Sequence, residues 1–393
     1  MATINRQPIY AGVDVLARAP SAYLGGKRFG LLSNHTGITR DYRSTIDVSA
    51  RLEAGKLTAL FACEHGIRGE RQAGILFEDE TEPELGIPVY SLYGKFRAPT
   101  PEMLDTVDAL VFDYQDLGVR FFTYLTTLIY TMQACAKAGK ELIVLDRPNP
   151  LGGLSVQGGL LREGYQSMVG GWKIPILTGL TIGEFARLVN AESGMNCNLQ
   201  IVPLEGWTRN MEFPQTGMPW TMLSPNMPTM DTARVYPGTC LFEGTNLSEG
   251  RGTTRPFEQI GAPWMDGRRV AEALNRRGLP GVIFYPAYFT PMFSKHQGAI
   301  CGGVQLYVTE PEKFLQVRTG LYMLEQIQKM HPDDFAWLPP FKEGSKSFIE
   351  LLTGSDVVLK TLHEPGAAER IADEWDKEAA DWAKTRVPYL LYE

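Results

Sequence analysis

The sequence contains no CxxC pair. Its five cysteines (Cys63, Cys135, Cys197, Cys240 and Cys301) are odd in number and widely scattered. That pattern argues against both a disulfide framework and a zinc site, and fits a reducing compartment. Nor does any apolar run approach the roughly 18 residues needed to cross a bilayer. The stretch from Met1 to Pro20 carries Arg6, Asp14 and Arg18 without a continuous apolar segment. No export signal is therefore expected, and the expected setting is cytoplasmic, or exported if a leader has been trimmed. An excess of basic residues is also missing: 38 Lys and Arg stand against 45 Asp and Glu, a net charge of −7. Nucleic acid and anionic membrane surfaces are thus excluded as expected partners. The first strand is followed by Asn34-His35-Thr36-Gly37 rather than GxGxxG, and neither GxxxxGK[ST] nor GxSxG occurs. His35, His65, His296, His331 and His363 show no HxH or HxxxH spacing. A nucleotide enzyme, a serine hydrolase and a metal centre are all disfavoured, and no cofactor is expected.

What is present is an ordinary folded composition, 44% hydrophobic and 21% charged, over 393 residues. A chain of that length usually divides into two domains. Short runs of β-formers recur at Phe29–Leu32, Leu57–Phe61, Ile87–Tyr90, Ala109–Phe112 and Leu142–Leu145. Helical spacing lies between them, from Ser44 to Glu53, from Thr100-Pro101 onward, and from Tyr124 to Lys137 with Gly139 as its stop. Thr181-Ile-Gly-Glu184 is a capping box. Parallel strands need crossovers, so this alternation predicts an α/β fold: a mostly parallel sheet with helices on both faces. Residues 203–262, rich in proline and glycine, read as irregular loops ordered by Trp207, Trp220 and Phe257. Regular structure returns with a helix at Asp266–Arg277, strands at Val282–Tyr285 and Val304–Val308, and helices at Glu312–Met330 and Ala367–Lys384.

In open α/β sheets, ligands bind beyond the carboxyl ends of the strands. Those ends carry the polar residues here. Asn34 follows the first strand. Glu64-His65-Gly66-Ile67-Arg68-Gly69 follows the second, with glycines that allow a tight turn while a carboxylate, an imidazole and a guanidinium project together. A glutamate at the mouth of an apolar sheet suits proton donation. Asp113, Asp116, Arg120 and Tyr124 crowd one strand-to-helix turn, where one aspartate serves as a cap and the other is a catalytic candidate. Arg147 and Asn149 end the fifth strand, and Arg147 is suited to gripping a carboxylate. The loop Glu243–Glu258, with Asn246, Glu249, Arg251 and Arg255, has the donor and acceptor density of a sugar-binding loop.

Together these motifs resemble the NamZ-type exo-β-N-acetylmuramidases, a glycoside hydrolase family. The matching segments are Glu64-His-Gly-Ile-Arg-Gly69, Asp113-Tyr-Gln-Asp-Leu-Gly-Val-Arg120 with Thr123-Tyr124, and Leu145-Asp-Arg-Pro-Asn-Pro150. Ser224-Pro-Asn-Met-Pro228, Tyr236-Pro-Gly238, Glu243–Thr253, Pro256-Phe-Glu258 and Arg386–Tyr392 also match. The resemblance implies a Rossmann-like catalytic domain, taken as residues 1–235, and a smaller α+β auxiliary domain, 236–393, whose first loop contributes to the site. It also implies release of N-acetylmuramic acid from the non-reducing end of peptidoglycan fragments, with Glu64 as leading catalytic residue and Tyr124 as a second. Where the family shows a histidine before the Gly-Leu-Thr turn, this chain has Thr178. The expectation for the site is one shared notch in which Glu64 protonates the leaving oxygen and His65 tunes it. Asp116, Tyr124 or the substrate's acetamido group acts as partner. Arg147, Arg251 or Arg255 takes the lactyl carboxylate. Asn34, Arg68, Asp113, Arg120, Asn149, Asn246 and Glu249 are further candidates for substrate binding. The rival reading is a sugar-binding protein without catalysis.

Overall fold

A computed structural model describes residues 8–72 and 74–393; Arg6, within the stretch read for an export signal, lies outside the described residues. Among the described residues, ten strands form two sheets. The first sheet contains β1 (Arg28–Ser33), β2 (Lys56–Ala62), β3 (Glu80–Thr81), β4 (Pro88–Ser91), β5 (Ala109–Asp113), β6 (Glu141–Leu145) and β7 (Asn198–Val202). Their order is β3-β4-β2-β1-β5-β6-β7. Every pairing is parallel except β3 with β4. The strands run outward from β1 in both directions, so the direction of winding reverses there, as in dinucleotide-binding folds.

The near-continuous apolar sequence of the central strands follows from burial on both faces. Along β5 and β6, Leu110, Phe112, Leu142 and Val144 pack on one side. Ala109, Val111, Ile143 and Leu145 pack on the other. The helix Tyr124–Ala138 stops at Gly139 in the left-handed conformation (φ 64°), where a side chain would be strained. Thr181 caps the helix Ile182–Ser193 through a complete capping box.

The second sheet is antiparallel, with order β8 (Gln259–Ala262), β10 (Cys301–Val308), β9 (Val282–Phe289). Helices Gly267–Arg276, Gln316–Met330 and Ala367–Thr385 accompany it. Its core is continuous with one face of the first sheet. Two buried arginines bind the halves. Arg120 donates to the carbonyls of Gly159, Ile174 and Leu352 at 2.7, 2.9 and 2.8 Å. Arg386 donates to those of Thr178 and Gly153 at 2.6 and 2.9 Å.

The expectation of irregular structure through 203–262 holds for most of 203–229 and 245–258 and is corrected between and after them. Met230–Thr239 is a helix despite Pro237, followed by a 3₁₀ turn at Cys240–Gly244 and by β8. Thr229 caps the helix, and Pro237 sits in its last turn, where a break is cheapest. Gly238 and Gly320 let this helix touch Gln316–Met330 backbone to backbone; a Cβ on Gly238 would lie 2.1 Å from the Gln316 carbonyl oxygen.

Candidate active site

A cleft of about 630 Å³ opens beyond the carboxyl ends of β2, β4 and β5 and is closed from the other side by the second half of the chain. Glu64 and His65 enter from the end of β2, Tyr93 from beyond β4, and Thr123 and Tyr124 from the start of a helix. Tyr236, Glu243 and Arg251 face them from the auxiliary side. The turn after β2 needs unusual backbone: Gly66 and Gly69 have φ of 74° and 73°, and His65 itself sits at 79°. A non-glycine residue held there stores strain of a kind that clusters at functional sites.

Three donors hold the half-buried Glu64 carboxylate. The Tyr93 hydroxyl and the Gly74 N–H donate to Oε1 at 2.8 and 3.1 Å, and the Thr123 hydroxyl donates to Oε2 at 3.0 Å. Thr123 stands at the N-cap of Tyr124–Ala138, yet its hydroxyl makes no capping bond. A residue type that helix starts normally use for capping is turned toward the carboxylate instead. Burial, then the Glu64 charge, pushes the Tyr93 phenol up to about 12, so it remains a donor at neutral pH. His65 Nδ1 lies 2.9 Å from the Arg71 carbonyl, which fixes the proton on that nitrogen. Burial lowers the imidazole pKa, against the opposing pull of Glu64.

Arg251 donates through Nε and Nη2 to Glu243 Oε1 at 2.8 and 2.6 Å and lies 3.3 Å from Glu249. Its Nη1 makes no hydrogen bond among the described residues. The other oxygen of Glu243 meets only the Cys240 thiol, at 3.4 Å.

Of the residues singled out from the sequence, Glu64, His65, Tyr124 and Arg251 line the cleft; the rest do not. Tyr124 contributes its ring, because its hydroxyl is buried, accepting from Asn34 Nδ2 at 2.7 Å and donating to the Leu223 carbonyl at 3.0 Å. Burial raises that phenol well above its ordinary value, which disfavours a phenolate nucleophile. The shared notch expected for Asp116 and Arg147 is therefore corrected. Asp116 is buried beneath the cleft, with Oδ2 on the Gly118 N–H at 2.6 Å and Oδ1 unpartnered. Desolvation raises its carboxyl to about 7. Arg147 is sealed against Asp113 through contacts of 2.5 and 2.8 Å, with side-chain exposures of 2% and 0%. Neither lines the cleft.

The other polar candidates lie outside this cleft. Arg120 is enclosed by carbonyls, and burial lowers it to about 9. Asn149 bridges the Leu180 carbonyl and the Leu151 N–H at 2.9 and 3.0 Å. Asn246 ties down Asp334 and Ala336 at 2.7 and 3.0 Å. Glu249 is buried against Lys295 at 2.7 Å, and Arg255 pairs with Glu258 at 2.8 Å. Asn34 and Arg68 border a separate hollow of about 400 Å³, where Arg68 pairs with Glu82 at 2.7 Å. Tyr93, Thr123 and Glu243 were not chosen as site residues from the sequence, although Thr123 and Glu243 stand within the matching motifs. Tyr93 does follow a strand, and Glu243 opens the loop in which Glu249 and Arg251 were picked. Among the described residues, no group of three or more His, Cys, Asp or Glu is placed to hold a metal ion. No helix among them is long and apolar enough to cross a membrane.

Residues 29–231 match the family description "Exo-beta-N-acetylmuramidase NamZ, N-terminal", and residues 234–392 match its C-terminal counterpart. The chain belongs to the NamZ exo-β-N-acetylmuramidase family. It is 44% identical over 390 residues to the peptidoglycan β-N-acetylmuramidase NamZ of Bacillus subtilis strain 168, covering 99% of this chain and 93% of that one. A crystal structure of a DUF1343 family protein from Bacteroides fragilis NCTC 9343 superposes with a TM-score of 0.90 at 37% identity, covering 99% and 100% of the two chains. A second such protein from the same organism gives 0.78 at 30% identity, with 98% and 99% covered. The mostly parallel α/β sheet read from the alternation of strands and helices, and the smaller second domain implied by the resemblance, are both present.

Proposed function

We propose that this chain hydrolyses the β-glycosidic bond of N-acetylmuramic acid at the non-reducing end of peptidoglycan fragments, MurNAc-GlcNAc being the minimal substrate. Glu64 acts as the acid that protonates the bridging oxygen, so that the C1–O bond breaks with its electron pair on the departing GlcNAc. One observation carries this assignment: two of the three partners of Glu64 are hydroxyls. A hydroxyl donates to a carboxylate and, after rotation, accepts from a carboxylic acid. Glu64 is therefore able to hold or lose its proton without losing its supports.

Arg251 supports the choice of an amino sugar carrying a lactyl ether. With one edge fixed on Glu243, its Nη1, which makes no hydrogen bond among the described residues, is available to a carboxylate on the ligand. The net charge of −7 fits a small carbohydrate rather than nucleic acid or an anionic membrane as partner. We assign residues 1–235 to the catalytic domain and 236–393 to the auxiliary domain that closes the cleft, and place the reaction in recycling of muropeptide sugars.

Incubation with MurNAc-GlcNAc tests the reading. Free MurNAc and GlcNAc are the expected products, while an intact internal bond in longer GlcNAc-capped fragments is expected from exo action. Saturable binding without turnover assigns the chain to the non-catalytic sugar-binding class instead.

A further inference from the structure

Among the described residues that line the cleft, Glu64 and Glu243 are the only carboxylates. They come from opposite halves of the chain and have opposite kinds of support. Glu64 is held by two hydroxyls and one backbone N–H. Glu243 is held by two N–H groups of the Arg251 guanidinium on a single oxygen. A guanidinium has no acceptor and does not deprotonate, so it stabilises only a carboxylate. The partners of Glu243 thus fit only a carboxylate, whereas the two hydroxyls on Glu64 can pair with either a carboxylate or a carboxylic acid. Pairs of carboxylates whose surroundings set their protonation apart are the usual basis of glycoside hydrolysis.

From this contrast we infer that Glu243 is the second catalytic carboxylate of the cleft, the one that faces the anomeric carbon. The inference rests on the proposed muramidase reading and deepens it. As the C1–O bond breaks, its electron pair goes to the leaving oxygen, which takes the Glu64 proton. Positive charge develops at the anomeric carbon and ring oxygen, opposite the fixed negative charge of Glu243. The water oxygen that then bonds to the anomeric carbon gives up one proton, which restores the resting protonation of the pair. Glu243 Oε2, free of nitrogen donors, is the oxygen available for this contact.

The opposing view is that Glu243 only anchors Arg251. Glu249 supplies the control, since it also contacts Arg251, at 3.3 Å, but does not line the cleft. The assay uses 4-nitrophenyl β-MurNAc and MurNAc-GlcNAc with wild type, Glu243→Gln and Glu249→Gln. Turnover by wild type establishes the activity independently of what the variants do. Glu243→Gln is expected to lose about a hundredfold or more in kcat with KM within a few-fold. Sodium azide should restore release of 4-nitrophenol, because azide nitrogen bonds to the anomeric carbon as 4-nitrophenolate leaves, giving azido-MurNAc. Glu249→Gln should show no azide response. The assignment is overturned if Glu243→Gln keeps activity within tenfold of wild type, or if azide yields neither rescue nor azido-MurNAc. Should Glu243→Gln fail to fold, Glu243→Asp keeps the charge but withdraws it by one methylene. A hundredfold fall in its kcat supports the role, and near-wild-type kcat overturns it.

Discussion

Two arginine–carboxylate pairs lie at the same end of the sheet, and they differ in what they leave open. Asp113–Arg147 is closed on every side. Thr45 Oγ1 donates to Asp113 at 2.5 Å, Arg147 reaches the Ile38 carbonyl at 3.1 Å, and both side chains are all but inaccessible. Glu243–Arg251 is closed on one side only. Its side chains remain 17% and 20% exposed; among the described residues one guanidinium nitrogen is unpartnered and one carboxylate oxygen meets nothing stronger than a thiol. The first pair applies all its hydrogen-bonding capacity to the fold, tying β5 and β6 to the loop after β1. The second keeps capacity in reserve beside the cleft. Charge alone does not mark a binding residue; unfilled bonding capacity next to open volume does.

The comparison breaks most visibly in stability. Asp113→Ala strands a buried guanidinium and should cost about 3–5 kcal/mol in urea unfolding, with the cleft chemistry lost only through unfolding. Glu243→Gln keeps an amide oxygen facing Arg251 at a site still 17% exposed, and should cost less stability. Equal losses in the two variants would erase the distinction drawn here.

Arg251→Ala sharpens it in the opposite direction. A charge-assisted hydrogen bond to the lactyl carboxylate is worth about 1.5–3 kcal/mol. Wild type should therefore prefer the free acid of MurNAc-GlcNAc over its lactyl methyl ester by roughly 10–100-fold in kcat/KM. In the variant that ratio should fall to about one, whatever happens to kcat. An unchanged preference would place carboxylate recognition elsewhere.

Sequence and structure agree where a single physical demand acts on a segment. Burial on both faces requires continuous apolar strands, so Ala109–Phe112 and Leu142–Leu145 were legible within one residue. Thr181 and Gly139 were legible because caps are local chemistry. Glu64 stood out because a strand end, a carboxylate and glycine turns coincide. Polar residues at strand ends serve two demands, however, lining a site or sealing what lies under it, and the sequence of Asp113, Asp116 and Arg147 is the same for both. Tyr93 and Glu243 join Glu64 only through contacts across distant elements. The helix Met230–Thr239 was hidden by Pro237 and Gly238, which read as breakers although Gly238 is there for backbone contact with Gly320.

Asp116 separates burial from catalysis. Its carboxyl is raised from 3.8 to about 7 in the fold, so between those pH values the folded state holds a proton that the unfolded chain releases. The folded state then binds more protons, and stability falls as pH rises through that window. Asp116→Asn removes the titration. Relative to wild type, the variant should gain about 2–3 kcal/mol on going from pH 5 to pH 7, seen as a growing difference in Tm. A constant difference would mean that Asp116 is ionised in the folded protein.

The central claim, that Glu64 delivers the proton, is tested most directly by the kcat of Glu64→Gln on MurNAc-GlcNAc. Glutamine keeps an acceptor for Tyr93 and Thr123 but carries no acidic proton. The account predicts a fall in kcat of about 10²–10⁴-fold with the fold intact. Activity within tenfold of wild type, no more than about 1.4 kcal/mol of barrier, would contradict it.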